Sequence, residues 1–203
     1  SRAEGSVAGG IALGLIAEHA EDVDAVVIGA FGDPGLAGAR EIFDVPVVGM
    51  AEAAVLTAAM LGERLSIVTF SPVMRRWYTD CVHATGLGAR FAGVRTPDAH
   101  GDDVANAARD MRAELVALAR RAVAEDGADV VILGGAPLAG LAPEVASEIP
   151  AIVIDPIAAA VAQAMTLASL RLRLEGRACK PVAKGSVGLP PALSRVIAHE
   201  AAG

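Results

Sequence analysis

Cysteine is nearly absent. Cys81 and Cys179 are the only two in 203 residues, and neither belongs to a CxxC pair or stands at metal-ligand spacing from histidine. That argues against a disulfide framework and a thiolate zinc site, and makes a reducing cytoplasm the default expectation. Basic residues are also few, 17 against 24 acidic ones for a net charge of −7. The Arg pairs, Arg75-Arg76 and Arg120-Arg121, fall in helix-like patterns, so no nucleic-acid partner is expected. No apolar run reaches the roughly 18 residues of a membrane span. Even Ile152 to Ala168 is broken by Asp155, Pro156 and Gln163, and no membrane partner is expected. No GxGxxG follows a strand-like segment with an acidic ribose partner downstream, so NAD is not expected either. The opening Ser1-Arg2-Ala3-Glu4 has neither an initiator methionine nor a signal-peptide pattern and reads as a helix start.

What is present is apolar and duplicated. Hydrophobic residues make up 54% of the chain, at a mean hydropathy of +0.50, enough for an ample core. Asp24-Ala-Val-Val-Ile-Gly29-Ala30 returns 105 positions later as Asp129-Val-Val-Ile-Leu-Gly134-Gly135. Val45-Pro46-Val47-Val48, followed by Glu52-Ala53-Ala54, is echoed by Ile149-Pro150-Ala151-Ile152 and Ile157-Ala158-Ala159. A period of that size is too long for a solenoid and fits one compact α/β domain that has been duplicated.

Short Val/Ile-rich runs alternate with helix-length segments, the pattern of parallel strands buried on both faces. The runs predict strands at 25–29, 46–49, 65–70, 91–95, 130–134 and 151–154. Helices are expected near 3–20, 35–43, 51–61, 73–85, 103–125, 138–147 and 157–174, with a short one at 192–201. Ser71-Pro72 supplies an N-cap and a first-turn proline. The fold class expected is α/β with two pseudo-symmetric lobes, each a short parallel sheet flanked by helices. The boundaries are 1–62 for the first lobe, 63–156 for the second, and 157–203 for a helix and tail returning to the first. The second lobe carries a strand, helix and strand (65–70, 73–85, 91–95) before its helix 103–125. The first lobe begins directly with the matching helix 3–20. One strand-helix-strand is therefore expected to be missing ahead of Ser1.

Ligands of open α/β sheets bind beyond the carboxyl ends of the strands. Two such ends occur here, Gly29-Ala30-Phe31-Gly32-Asp33-Pro34-Gly35 and Gly134-Gly135-Ala136-Pro137-Leu138-Ala139-Gly140. If the lobes face one another, both loops border one cleft. Their glycines admit close backbone approach, and N–H groups entering the next helices favour a carboxylate or enolate oxygen. Gly and Pro also make tight turns without any ligand, and that reading stands beside the functional one.

These segments resemble a family. Phe31-Gly-Asp-Pro-Gly-Leu36, Pro46-Val-Val-Gly49 with Glu52-Ala-Ala, Ser66-Ile-Val-Thr69 and Leu133-Gly-Gly-Ala-Pro-Leu-Ala-Gly-Leu141 are similar to the Asp/Glu/hydantoin racemase superfamily, nearest its hydantoin racemase branch. The resemblance implies two α/β lobes with the substrate between them, no cofactor, and one cysteine at each strand end moving the α-proton on opposite faces of the stereocentre. The matching positions here are Ala30 and Gly135, and neither residue can move a proton. The expected opening strand with an Asn-Pro-Asn-Thr-like loop is missing too.

Other groups invite a second reading each. Asp33 is the one carboxylate in either loop and a weak candidate base, or a turn residue before Pro-Gly. Phe31, Gly32, Thr69, Ser71, Gly134, Ala136 and Pro137 are the substrate-binding candidates, with Ser71 equally readable as an N-cap. Tyr78 can point into the cleft or fill core. Cys81 falls mid-helix and reads as a structural thiol, and Cys179 lies in the tail. Asp98, His100, Asp102 and Asp103 read as capping and solvation, with no metal expected. The Ala-rich helix 157–169 could form an interface between copies of the chain or pack within one chain. Together these features predict a cofactor-independent racemase or epimerase acting on a small amino acid, hydantoin or other carboxylate. The alternatives are a binding protein that has lost catalysis, and a decarboxylase or cis–trans isomerase of the same fold.

Overall fold

A computed structural model describes residues 1–98 and 104–200. Among the described residues six strands form where Val/Ile runs predict them: β1 (Val26–Ile28), β2 (Val47–Gly49), β3 (Leu65–Val68), β4 (Phe91–Arg95), β5 (Val130–Leu133) and β6 (Ile152–Ile154). β1 pairs with β2 in one sheet, and the others form a four-stranded sheet in the order β4-β3-β5-β6. All three of its interfaces are parallel, with Leu65 beside Val130 and Val130 beside Ile152. The helices are α1 (Arg2–His19), α2 (Leu36–Ile42), α3 (Met50–Leu61), α4 (Arg75–Ala84), α5 (Ala107–Asp110), α6 (Arg112–Asp126), α7 (Leu141–Val145), α8 (Pro156–Ser169) and α9 (Pro191–Ala198).

Two compact units result. The larger comprises Ser1, 29–33 and 49–161, and the smaller 2–28, 34–48 and 162–203. In the larger unit β3 and β5 are buried at every residue. Alternation sends Val68, Val131 and Leu133 into one core with Leu115, Leu118 and Ala119 of α6. Leu65, Ile67, Val130 and Ile132 point the other way and are equally buried, while α3 packs on β3, β5 and β6. Each such side chain contributes about 1.5–3 kcal/mol of burial, which is why these strands tolerate no polar face. The outer strand β4 is tied to the end of α6 by Arg95, whose guanidinium reaches Asp126 and Glu125 at 2.7 Å. The cations Arg121 and Arg95 hold the Glu125 carboxyl below its ordinary range.

The smaller unit packs α1 against α2 and α9. Its core is Ile16, Ile28, Ala39, Phe43, Val45, Val47 and Leu193. The tail is pinned by Arg177, which donates to Phe43 O at 2.7 Å, and by the Lys180–Asp44 ion pair. A Cβ at Gly9 would lie 2.9 Å from Gly35 N, so the helix and the loop before α2 touch through bare backbone.

Three expected helices differ most from the sequence reading. The segment 103–125 interrupts at Met111 (φ −106°, ψ 9°), so α5 and α6 are separate, and Asp103 lies outside the described residues. The segment 138–147 becomes a 3₁₀ turn at Ala136–Leu138, a left-handed Gly140, the short α7, and another 3₁₀ turn at Ala146–Glu148. The left-handed residue ends one helix and starts the next, which a helical periodicity count cannot register. The helix from 157 stops at Ser169, and Arg171 has φ 48°. At the other boundary α9 ends at Ala198, and Ala201 lies outside the described residues. No helix among the described residues is long and apolar enough to cross a membrane.

Candidate functional site

The loop after β1, residues 29–33, belongs to the same unit as β3, β5 and α4. Phe31 is 5% exposed, and its ring lies 4.4 Å from that of Tyr78 at 51°. Gly32 has φ 129°, and a Cβ there would stand 2.6 Å from the Trp77 indole. Conformation and space therefore both demand glycine. The chain's one Trp and one Tyr, adjacent on α4, support this loop.

The loop after β5 meets the same aromatic group. Gly134 N–H donates to Val68 O at 2.8 Å, carrying the β3–β5 ladder one residue further. A Cβ on Gly134 would come within 2.7 Å of Ile67 Cγ2, 3.3 Å of Tyr78 Cε2 and 3.4 Å of Phe31 Cζ. The two strand-end loops thus converge across Phe31 and Tyr78. Gly135 has φ 128° and ψ 135°. A Cβ there would lie 2.6 Å from Phe70 Cε1 and 3.6 Å from Tyr78 Oη. Phe31, Phe70, Trp77 and Tyr78 are four of the chain's six aromatic residues, so an aromatic-poor protein concentrates them at this spot.

Two hydroxyls accompany the rings. Burial pushes the Tyr78 phenol up to about 12, with the Thr69 hydroxyl lowering it in part. Thr69 is fully buried, and its Oγ1 makes no hydrogen bond of ordinary geometry even to its phenol neighbour. Ser71 is 4% exposed and flanks the 3₁₀ turn Pro72–Met74, but it does not cap that turn through its side chain. Its carbonyl accepts from Met74 N–H instead.

Asp33 serves α3. Its two carboxylate oxygens accept the N–H groups of Ala51 and Glu52, each at 2.8 Å, and its φ of 49° is one that Asp tolerates. The second repeat makes a matching tether with the roles exchanged. Asp155 accepts from Ile157 and Ala158 at the start of α8 at 2.9 and 3.1 Å, and its other oxygen accepts Gly140 N–H at 2.5 Å. Gly35 and Gly140, 105 positions apart, both take left-handed conformations as N-caps of α2 and α7 (φ 82° and 85°).

The remaining candidates disperse. Ala30 and Ala136 are exposed and Pro137 is half-buried, so the loop crests are open and carry methyl groups only at 30 and 136. Cys81 is half-buried on α4, and Cys179 is exposed in the smaller unit. Asp98 is exposed, while His100, Asp102 and Asp103 lie outside the described residues. Among the described residues no three His, Cys, Asp or Glu side chains are grouped to hold a metal. Tyr78 is legible in the sequence as a candidate, whereas Trp77 and Phe70 are not. Their one visible signal was aromatic scarcity combined with nearness to the end of β3.

Comparison with known proteins follows the same segments. Residues 1–164 match the family model described as Asp/Glu/Hydantoin racemase. A hydantoin racemase from Pseudomonas sp. (strain NS671) is 40% identical over 153 residues, 74% of this chain and 60% of that protein. One from Paenarthrobacter aurescens is 38% identical over 157 residues, 76% of this chain and 65% of that protein. The chain spans less than two thirds of the length of either. An allantoin racemase from Klebsiella pneumoniae superposes with a TM-score of 0.82 at 31% identity, covering 94% of this chain and 79% of that one. Unliganded arylmalonate decarboxylase, at 19% identity and a TM-score of 0.56, shares the fold alone. On the match over residues 1–164, the chain belongs to the Asp/Glu/hydantoin racemase family.

Proposed function

We propose that this chain acts on a cyclic ureide of the hydantoin or allantoin kind, exchanging the proton at the carbon next to its carbonyl and thereby interconverting enantiomers. The observation that carries this reading is the convergence of the two strand-end loops across Phe31, Gly134 and Tyr78. It is supported by similarity to hydantoin racemases at 40% and 38% identity and to an allantoin racemase at 31% identity and a TM-score of 0.82. The crests at Ala30 and Ala136 are exposed, so both loops can be approached from solvent.

A second reading is favoured by one specific fact: Ala30 and Gly135 carry no proton-transfer group, and Asp33 has both oxygens engaged at the start of α3. On that reading the protein binds the ureide without turning it over. Proton exchange in D₂O, followed by NMR with a panel of 5-substituted hydantoins, allantoin, aspartate and glutamate, separates the two. Protein-dependent loss of the α-proton signal supports racemisation. A ligand-induced thermal shift without exchange supports binding alone. Neither exchange nor shift across the panel refutes both.

A further inference from the structure

We infer that the smaller unit carries a second ligand site, a groove for a zwitterionic amino acid with a large apolar side chain. The inference is independent of the ureide reading, because every residue that lines the groove lies in the smaller unit.

The groove has a volume of about 960 Å³ and is bordered by the ends of α1, α2 and α9 and by the tail from Glu175 to Ala183. That is at the upper end of the roughly 300–1,000 Å³ of small-molecule sites. Its apolar lining comes from Ile42, Phe43 and Val45 after α2, from Val196 of α9 and from Pro181. Such a surface suits a hydrocarbon or aromatic side chain.

Arg177 supplies the place for a carboxylate. Its Nη2 donates to Phe43 O at 2.7 Å and reaches Asp44 Oδ1 only at 3.4 Å. Its Nε is buried and has no acceptor. A guanidinium and a carboxylate that meet freely close two parallel bonds of about 2.7–2.9 Å. Asp44 cannot do so here, because its other oxygen is held by Lys180. The orphan Nε–H is a costly group that a ligand carboxylate would satisfy. Arg177 stands in the stretch between α8 and α9, which has no helix or strand, so it can turn that edge to the groove without breaking a backbone ladder.

The rest of the charge selects against a simple anion. Glu21, Asp44, Glu175 and Glu200 line the groove against only Arg177 and Lys180 as fixed cations. The carboxyl ends of α1 and α9 add partial negative charge on the same side. A ligand that brings its own ammonium group meets the exposed Glu21 and Glu200 and offsets this surplus. Carboxylate, ammonium and apolar body together describe an α-amino acid.

The test is calorimetric titration of the full 203-residue chain with L-phenylalanine, 3-phenylpropionate and phenethylamine at low ionic strength. L-Phenylalanine should bind, and the two compounds lacking one charge should each bind on the order of 10-fold more weakly. Arg177→Lys keeps the charge but loses the fork, and should weaken L-phenylalanine on the order of 10-fold. In methyl-labelled wild type, nuclear Overhauser contacts should run from the ligand ring to Val45 and Val196, a readout that needs no variant. No binding of L-phenylalanine at millimolar concentration overturns the site. Equal binding of 3-phenylpropionate or phenethylamine overturns the selection for a zwitterion, and undiminished binding by Arg177→Lys overturns the role of the guanidinium. Contacts to Ile67 or Leu133 instead would put the ligand on the larger unit, overturning this site while leaving the ureide reading untouched.

Discussion

Replacing Gly135 by Ala should be among the most damaging single-methyl changes in the protein. The new Cβ would sit 2.6 Å from Phe70 Cε1 and 3.3 Å from Phe70 Cδ1, and the ring it strikes is only 6% exposed and packed in the core with Leu133 and Leu138. Overpacking of this kind costs about 1–3 kcal/mol. The backbone at φ 128° adds about another 1–3 kcal/mol, since L residues rarely occupy that region. A loss of about 4 kcal/mol is therefore expected, a large share of the roughly 5–15 kcal/mol that stabilises a domain. Urea denaturation measures it as a lower midpoint at unchanged slope. The Phe70→Ala/Gly135→Ala pair should show about 1–3 kcal/mol of favourable coupling, because removing the ring relieves the clash but leaves the dihedral strain. Ala30→Cys, on an exposed crest, should stay within about 0.5 kcal/mol of wild type. If Gly135→Ala also stays within that margin, the reasoning from close contact and dihedral is refuted. The contrast bears on catalysis: a thiol can be placed at 30 without strain, whereas one at 135 requires the loop and Phe70 to move.

Gly32→Ala should likewise destabilise by about 2–4 kcal/mol, and because Trp77 is the one tryptophan, intrinsic fluorescence reports it directly. An unshifted emission spectrum would argue that the loop does not rest on the indole. Asp33→Asn should cost about 2 kcal/mol by exchanging one of two accepted N–H bonds at the start of α3 for a donor facing a donor. A thermal midpoint unchanged from wild type would show that the tether contributes nothing. For Tyr78 the phenol rises from 10.0 in the unfolded chain to about 12 in the fold. Its contribution is thus fully present below pH 10 and is lost as pH climbs toward 12. Two decades at 1.36 kcal/mol each amount to about 2.7 kcal/mol. Unfolding free energies across that window should fall more steeply for wild type than for Tyr78→Phe, and parallel slopes would contradict the burial of the phenol.

The strands were readable because each Val/Ile run ends at small residues, and burial on both faces leaves no polar alternation to confuse the pattern. The repeat also foretold equivalent turns, and Gly35 and Gly140 adopt nearly the same left-handed geometry. Other features depended on partners distant in sequence. The N–H groups that occupy Asp33 lie 18 and 19 residues downstream, so its choice between turn residue and base could not be weighed from neighbours. The clash between positions 70 and 135 is set by the β3–β5 register, which no local pattern encodes. The interruption at Met111 follows Asp110, a weak helix former, but Ala107-Ala108-Arg109 before it and Arg112-Ala113-Glu114-Leu115 after it all favour helix, and propensity gives little warning of the break.

The two tethers explain how the loops can keep their shape without the residues that would move a proton. In the first repeat the loop supplies the carboxylate and the helix N-terminus supplies the N–H groups. In the second, the carboxylate of Asp155 stands at the helix start and reaches back to the loop at Gly140. Each arrangement neutralises the positive end of a helix with a charge fixed by the fold, so neither helix start needs a bound anion. That independence has a chemical consequence. A helix N-terminus already occupied by a carboxylate cannot also depress the pKa of a thiol or stabilise an enolate at full strength, so the starts of α3 and α8 hold little in reserve for the charge of a ligand.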